Sequence, residues 1–473
     1  METALTRSLV SSLFVAVLGC ALGAFVARPT RFGSVSRFRR AFPLLLCWSF
    51  PSVAIGYGFS PLTFKWVQNP LALEVLYHIV VICRLGALAG LAFIYLPETV
   101  SPESRRVFAV SSECAGFPWS LSRKSRFFVL GGVGVRVSVV FLLVFLGAFG
   151  EFELASMLNV HRWTTLAFDA CAQGCSGVEI AGSYLVPCLI QSAVVAVVLC
   201  MLSVLVGSVA RDGGRLLCLD EAGNVGGGAG NFRRALSAVS AWVCLILVVG
   251  LPGAVISRGA LKGFFGVLSS PWMFSEVAAS ILFAVSGVAC AWGVAVVATR
   301  VRSWKGKLLL LLCAFPGLLG ALPLSLLALS IFQTPLLVSL RDTPIPLVAV
   351  YAFLFLPYAL AAVFLSDAFA DGESIHSARL AGDLDGRVRR WLFWDLKIQS
   401  FALMMGLVFA FAYFELTASA ILSPSAMPTI ATRLFNLAHY GESERLSATI
   451  LLVSLPPAAL IAVLAAPRFF RRR

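Results

Sequence analysis

The sequence predicts an all-α, polytopic membrane protein of about eleven transmembrane helices arranged as two related halves. Three observations predict it. Hydrophobic residues make up 59% of the 473 residues and the mean hydropathy is +0.91, well above what a soluble globular chain carries. Runs of roughly 18 to 25 apolar residues recur along the chain, each long enough to cross a hydrocarbon core of about 30 Å as a helix. Two polar loops, each with the span after it, match in spacing about 262 to 266 residues apart, which implies a duplicated unit.

The first apolar run, Ser8 to Val26, is too long for the core of a signal peptide, and Arg28, Arg31, Arg37, Arg39 and Arg40 follow it as an anchor. Further spans are expected at 42–62, 71–96, 127–150 and 184–208, then at 235–257, 277–299, 307–333, 345–366, 399–422 and 446–467. The halves are therefore 1–208 and 235–473, the second with one extra leading span. Residues 209–234 join them. That joint contains GNVGGGAGN, but no Lys-Ser or Lys-Thr follows and no strand precedes it, so it reads as a flexible cytoplasmic linker and not as a phosphate cradle.

Charge sets the orientation. Loops 28–41, 97–126, 209–234, 300–307 and 367–398, with the tail RFFRRR, hold about 27 of the Lys and Arg, and the alternate loops about 8. The bias puts the first set inside, the N-terminus outside and the C-terminus in the cytoplasm. It also assigns the net charge of +14 to the membrane surface and its lipid, which excludes nucleic acid as a partner.

The chemistry-bearing residues form no catalytic constellation. His78, His161, His376 and His439 lack ligand spacing, there is no nucleophile elbow or Walker motif, and the twelve Cys lie mostly in apolar spans. Only Cys171 and Cys175, in an outer loop, are placed for a local disulfide, and the reading in which they stay unpaired is kept beside it. No metal, cofactor or enzymatic activity is expected, so any energy from ATP has to come from a separate chain.

The two polar loops are more informative. The second begins HSARLAG, with Ser377, Ala378, Ala381 and Gly382 after His376, and reads as a short helix, a glycine turn and a basic second helix. The first supplies Ser111, Ser112, Ala115 and Gly116 at the same spacing. Small side chains let a partner's backbone come close, and glycine allows the turn. The spans that follow end GAFGEFELASML and FAYFELTASAIL, placing Glu151, Glu153 and Glu415 at their outer ends. There they either line a gate or sit in the headgroup layer where a span stops. Arg84 and Arg136 fall inside apolar runs, where snorkelling to the surface accounts for them.

These loops resemble the coupling loop of binding-protein-dependent ABC transporter permeases, whose pattern is Glu-Ala-Ala, three residues, then Gly. The likeness is strongest to fused two-half permeases of the iron(III) and thiamine type, in which a Glu follows the glycine by about 33 residues, as Glu415 follows Gly382, ahead of a loop similar to TIATRLFNLAHYG. The resemblance implies an inner-membrane permease subunit of an ATP-driven importer, for iron(III) or for thiamine, molybdate or polyamine cargo. Two cytoplasmic ATPase subunits would dock on Ser111, Ser112 and Gly116 and on His376, Ser377, Ala378, Arg379 and Gly382, and a solute-binding protein would dock outside. The chain departs from the pattern in having His376 and Val110 where the family has Glu, and Trp394 and Asp395 where it has Leu-Pro. Two other classes stay open. A secondary transporter with duplicated halves would carry charged groups deep in several spans, and a non-transporting scaffold would have lost the docking surface.

Overall fold

The computed structural model describes residues 2–27, 34–96, 133–173, 179, 182–211, 229–300, 304–369 and 401–470. In chain order the helices are α1 (Glu2–Val26), α2 (Ser34–Ser49), α3 (Ser52–Gly58), α4 (Ser60–Trp66), α5 (Pro70–Tyr95) and α6 (Val133–Phe149). They continue with α7 (Glu153–Met157), α8 (Trp163–Ala172), α9 (Leu185–Arg211), α10 (Ala229–Leu245), a π turn at Ile246–Gly250, α11 (Leu251–Leu268) and α12 (Pro271–Arg300). The last are α13 (Trp304–Leu318), α14 (Ala321–Phe332), α15 (Ile345–Phe369), α16 (Phe401–Tyr413), α17 (Thr417–Leu422), α18 (Ile430–His439) and α19 (Ser443–Phe470).

The fold is all-helical, with no strand among the described residues. Seven of these described helices are long and apolar enough to cross a membrane, or nine if two bent pairs each count as one span. Two more apolar stretches, Gly134–Phe149 and Phe401–Tyr413, are shorter.

Several expected spans are re-drawn. The expected span 399–422 stops at Tyr413, breaks over Phe414–Leu416 and resumes as α17. The expected span 307–333 is a bent pair whose arms, Leu312–Leu318 and Ala321–Phe332, turn by 109°. Gly320 makes that turn at φ +89°, a left-handed conformation open to glycine. The expected span 42–62 is likewise a broken pair, interrupted before α3, whose N-cap is Pro51; that ring has no N–H to continue a helical ladder. The expected span 235–257 runs on to Leu268, beyond Arg258 and Lys262, and over that added length Gly259 and Gly263 lie directly on α19.

By internal packing the chain forms two compact units. One is Met1–Phe50, Glu74–Phe149 and Ile190–Gly250; the other is Pro51–Leu73, Gly150–Leu189 and Leu251–Arg473. Neither is a continuous half of the sequence.

In the first unit α1 meets α5 through two glycine pairs four residues apart, Gly19 and Gly23 against Gly86 and Gly90. A Cβ on Gly23 would stand 2.4 Å from Ala89 Cβ and 2.6 Å from the Gly90 amide nitrogen, so the two backbones are nearly in contact. A polar bridge adds to this. His78 Nδ1 lies 2.6 Å from the Glu74 carbonyl oxygen, and its Nε2 shares a hydrogen bond with the Ser11 hydroxyl at 2.8 Å. The Arg136 guanidinium lies 5.7 Å from the Phe93 ring centroid. Cys47, Cys83 and Cys244 are buried, as small apolar side chains are.

In the second unit α11 and α19 are equally close. A Cβ on Gly263 would meet the Glu444 carbonyl oxygen at 2.4 Å. Gly58 of α3 abuts Pro252 of α11, and Tyr57 Oη reaches the Ser443 carbonyl at 2.9 Å and Ser447 Oγ at 2.8 Å on α19. Gly287 and Gly317 seat α12 and α13 against α15 at Tyr351, Phe353 and Pro357.

Gly23→Leu is expected to destabilise the chain by about 1–3 kcal/mol through overpacking between α1 and α5. Gly253→Ala, where a Cβ meets nothing within 4 Å, should be neutral or stabilising by about 0.4–1 kcal/mol. Thermal unfolding of both variants in detergent micelles measures the contrast.

Candidate functional site

The sites expected from the sequence fall into two groups. Ser111, Ser112, Gly116, His376, Ser377, Ala378, Arg379 and Gly382 lie outside the described residues, as does Cys175. Glu151, Glu153 and Glu415 are described, and all three lie in the second unit, where the chain leaves an apolar helix and starts a short one.

Glu151 and Glu415 do the same local work. Each follows its apolar helix by two residues, and each turns its carboxylate back onto the amide three residues ahead. Glu151 Oε1 accepts from Leu154 N at 2.9 Å, and Glu415 Oε1 accepts from Ala418 N at 3.2 Å. The first amides of α7 and α17 have no partner inside those helices, so a carboxylate there satisfies a donor and faces the positive end of the helix dipole. The backbone carbonyls of the two residues are also held. Thr164 Oγ1–H donates to Glu151 O at 2.8 Å; Ser419 Oγ–H and Tyr351 Oη–H donate to Glu415 O at 2.7 and 3.2 Å.

Glu153 joins the two breaks: its Oε1 accepts from Leu416 N at 3.3 Å. The three carboxylates therefore belong to one polar seam, partly buried, with Tyr351 fully enclosed beside it. An aromatic lock sits next to the seam. Phe152 lies 4.3 Å from Phe168 of α8 and 6.3 Å from Phe435 of α18, ring centre to ring centre, and Phe168 is 5.9 Å from Phe435.

A second polar cluster was not singled out from the sequence. Glu276, on the first turns of α12 and 3% exposed at its side chain, receives a two-pronged contact from Arg433 of α18. Arg433 Nε stands 3.0 Å from both carboxylate oxygens, and its Nη2 also reaches Oε1. The guanidinium stacks 4.9 Å from the Trp272 ring centroid. One turn further along α12, Ser280 Oγ accepts the Ile430 amide at 2.8 Å, while Thr429 caps α18 by accepting from Thr432 N. A signal was present in the sequence: an acid within an apolar run, and an Arg in the loop TIATRLFNLAHYG. Their pairing across 157 positions was not visible there.

At the adjoining loop, Ser425 N–H and Oγ–H donate to Asp342 at 2.9 and 3.0 Å and hold that carboxyl below its usual range. A lowered folded-state value means that the tie is present at neutral pH and is lost as the pH falls through a value below about 3.9.

Apolar helices of membrane length, with polar groups gathered where they break, define a helical multi-pass membrane protein. Comparison with protein-family models, with curated proteins and with solved structures finds no match to this chain.

Arg433→Ala is expected to cost about 3 kcal/mol, because it strands a buried carboxylate. Arg433→Ala with Glu276→Ala should cost less than the sum of the single changes, and a double-mutant cycle by denaturation in micelles reads the coupling. Asp342→Asn should raise protease cleavage near Ser425 at neutral pH and leave the cleavage seen at strongly acidic pH unchanged.

Proposed function

We propose that the chain is the pore-forming permease subunit of an ATP-driven importer, built from two related halves with eleven crossings. The single observation that carries the reading is the repeated break, in which an apolar helix is followed by a carboxylate capping the next short helix, at Glu151 and again about 264 residues later at Glu415. The resemblance of the loops at Ser111–Gly116 and His376–Gly382 to ABC permease coupling loops adds the partner class. Taking each bent pair and each of the two shorter apolar helices as a crossing gives the eleven that the sequence predicts. The order of elements supports the duplication. A long helix, a broken pair, another long helix, an apolar helix with a capped break, a ten-residue helix and a final long helix occur from α1 to α9 and from α12 to α19.

In this reading two ATPase subunits dock on the cytoplasmic loops, a solute-binding protein docks outside in the inner-membrane setting, and closure of the ATPases rocks the halves about the cargo path. The seam of Glu151, Glu153 and Glu415 lies at the outer gate. It offers acceptors that suit a cationic cargo, in keeping with iron(III), while the binding protein makes the first selection.

Gly382→Trp and Gly116→Trp should abolish ATP-dependent uptake of labelled iron(III) and copurification of an ATPase, at unchanged abundance in the membrane. Full uptake in both variants would defeat the coupling assignment. Uptake driven by a proton or sodium gradient without ATP would make the chain a secondary transporter instead.

A further inference from the structure

The second unit holds an apolar groove of about 580 Å³ between α12, α16 and α19. Every lining side chain is apolar; α12 contributes Val288, Ala289 and Trp292 among others, α16 Met405 and Gly406, and α19 Leu464. Gly406 lets α16 come close to α19 at this point. A Cβ there would come within 3.0 Å of Leu464 Cδ1.

Its length and its ends are informative. From Ile281 to Trp292 the groove follows α12 for about 16 Å at 1.5 Å per residue, roughly half of a hydrocarbon core of about 30 Å. Trp292, 40% exposed, stacks at 5.8 Å on Phe401 at one end. Beyond that end α12 runs on to Arg300, and past Leu464 α19 runs on through Arg468. A cleft one leaflet deep, wholly apolar, with a pair of rings and then basic helix ends on one side, has the polarity of a single amphiphile: a hydrocarbon chain topped by a negative group.

We propose that this groove is a binding site for one anionic glycerophospholipid, with an acyl chain along α12 and the phosphate toward the helix ends that carry Arg300 and Arg468. The site requires only that the chain lie in a bilayer. It does not depend on the importer assignment.

The test is native mass spectrometry of the full chain released from nanodiscs made of equal parts phosphatidylglycerol and phosphatidylcholine. The unmodified protein should retain one phosphatidylglycerol in clear preference. Ala289→Trp, which fills the groove from an exposed position, should lose that adduct, whereas Val294→Trp, an equally bulky change at an exposed position of α12 outside the lining, should keep it. Retention in the bilayer ratio by the unmodified chain, or equal retention by the Ala289 and Val294 variants, would overturn the proposal. So would a dimer that Ala289→Trp dissolves while no lipid is retained, because the occupant would then be a second copy.

Discussion

Within a bilayer there is no water to expel from between two helices, so their association rests on how closely their surfaces fit. In this chain that fit is set by glycine. Gly23 against Ala89 and Gly90, Gly259 and Gly263 against the first turns of α19, Gly58 against Pro252, and Gly287 and Gly317 against α15 are all places where a single added carbon would collide with a neighbour. With side chains removed from the contact, backbone meets backbone over many atoms. Each atom pair gains only about 0.1–0.2 kcal/mol, but the sum is large. The same closeness puts Tyr57 within reach of Ser443 and Ser447, so the polar bridge follows from the apolar fit.

The capped breaks follow from the second constraint of the membrane, that backbone groups freed by ending a helix need new partners. At Glu151 and Glu415 the chain supplies them itself: a carboxylate for the amides ahead, and hydroxyls for the carbonyls behind. These acids are therefore structural where they stand. The Glu276 and Arg433 pair is different, because it spans two elements distant in sequence and anchors α18, the helix that carries Phe435 into the aromatic lock.

Much of this was legible in the chain. The apolar runs located the long helices, as the closeness of 71–96 to Pro70–Tyr95 and of 345–366 to Ile345–Phe369 shows, because hydropathy over a membrane thickness is a property of composition alone. Glu151, Glu153 and Glu415 were legible too, since an acid at the edge of an apolar run is costly enough to stand out. The broken spans were not. An apolar run reads the same whether its helix is straight or turned through 109°, and only the positive φ of Gly320 distinguishes them.

By itself the sequence determined that this protein is helical and belongs to a membrane, and where its acids stand, because both follow from the local cost of placing each side chain in hydrocarbon. Tertiary structure alone decided which helices touch, that Glu153 reaches across to Leu416, that Arg433 finds Glu276, and that α12, α16 and α19 leave a groove open between them. Those outcomes depend on contacts between positions far apart in the chain, and no local pattern carries the distance at which two distant segments come to rest.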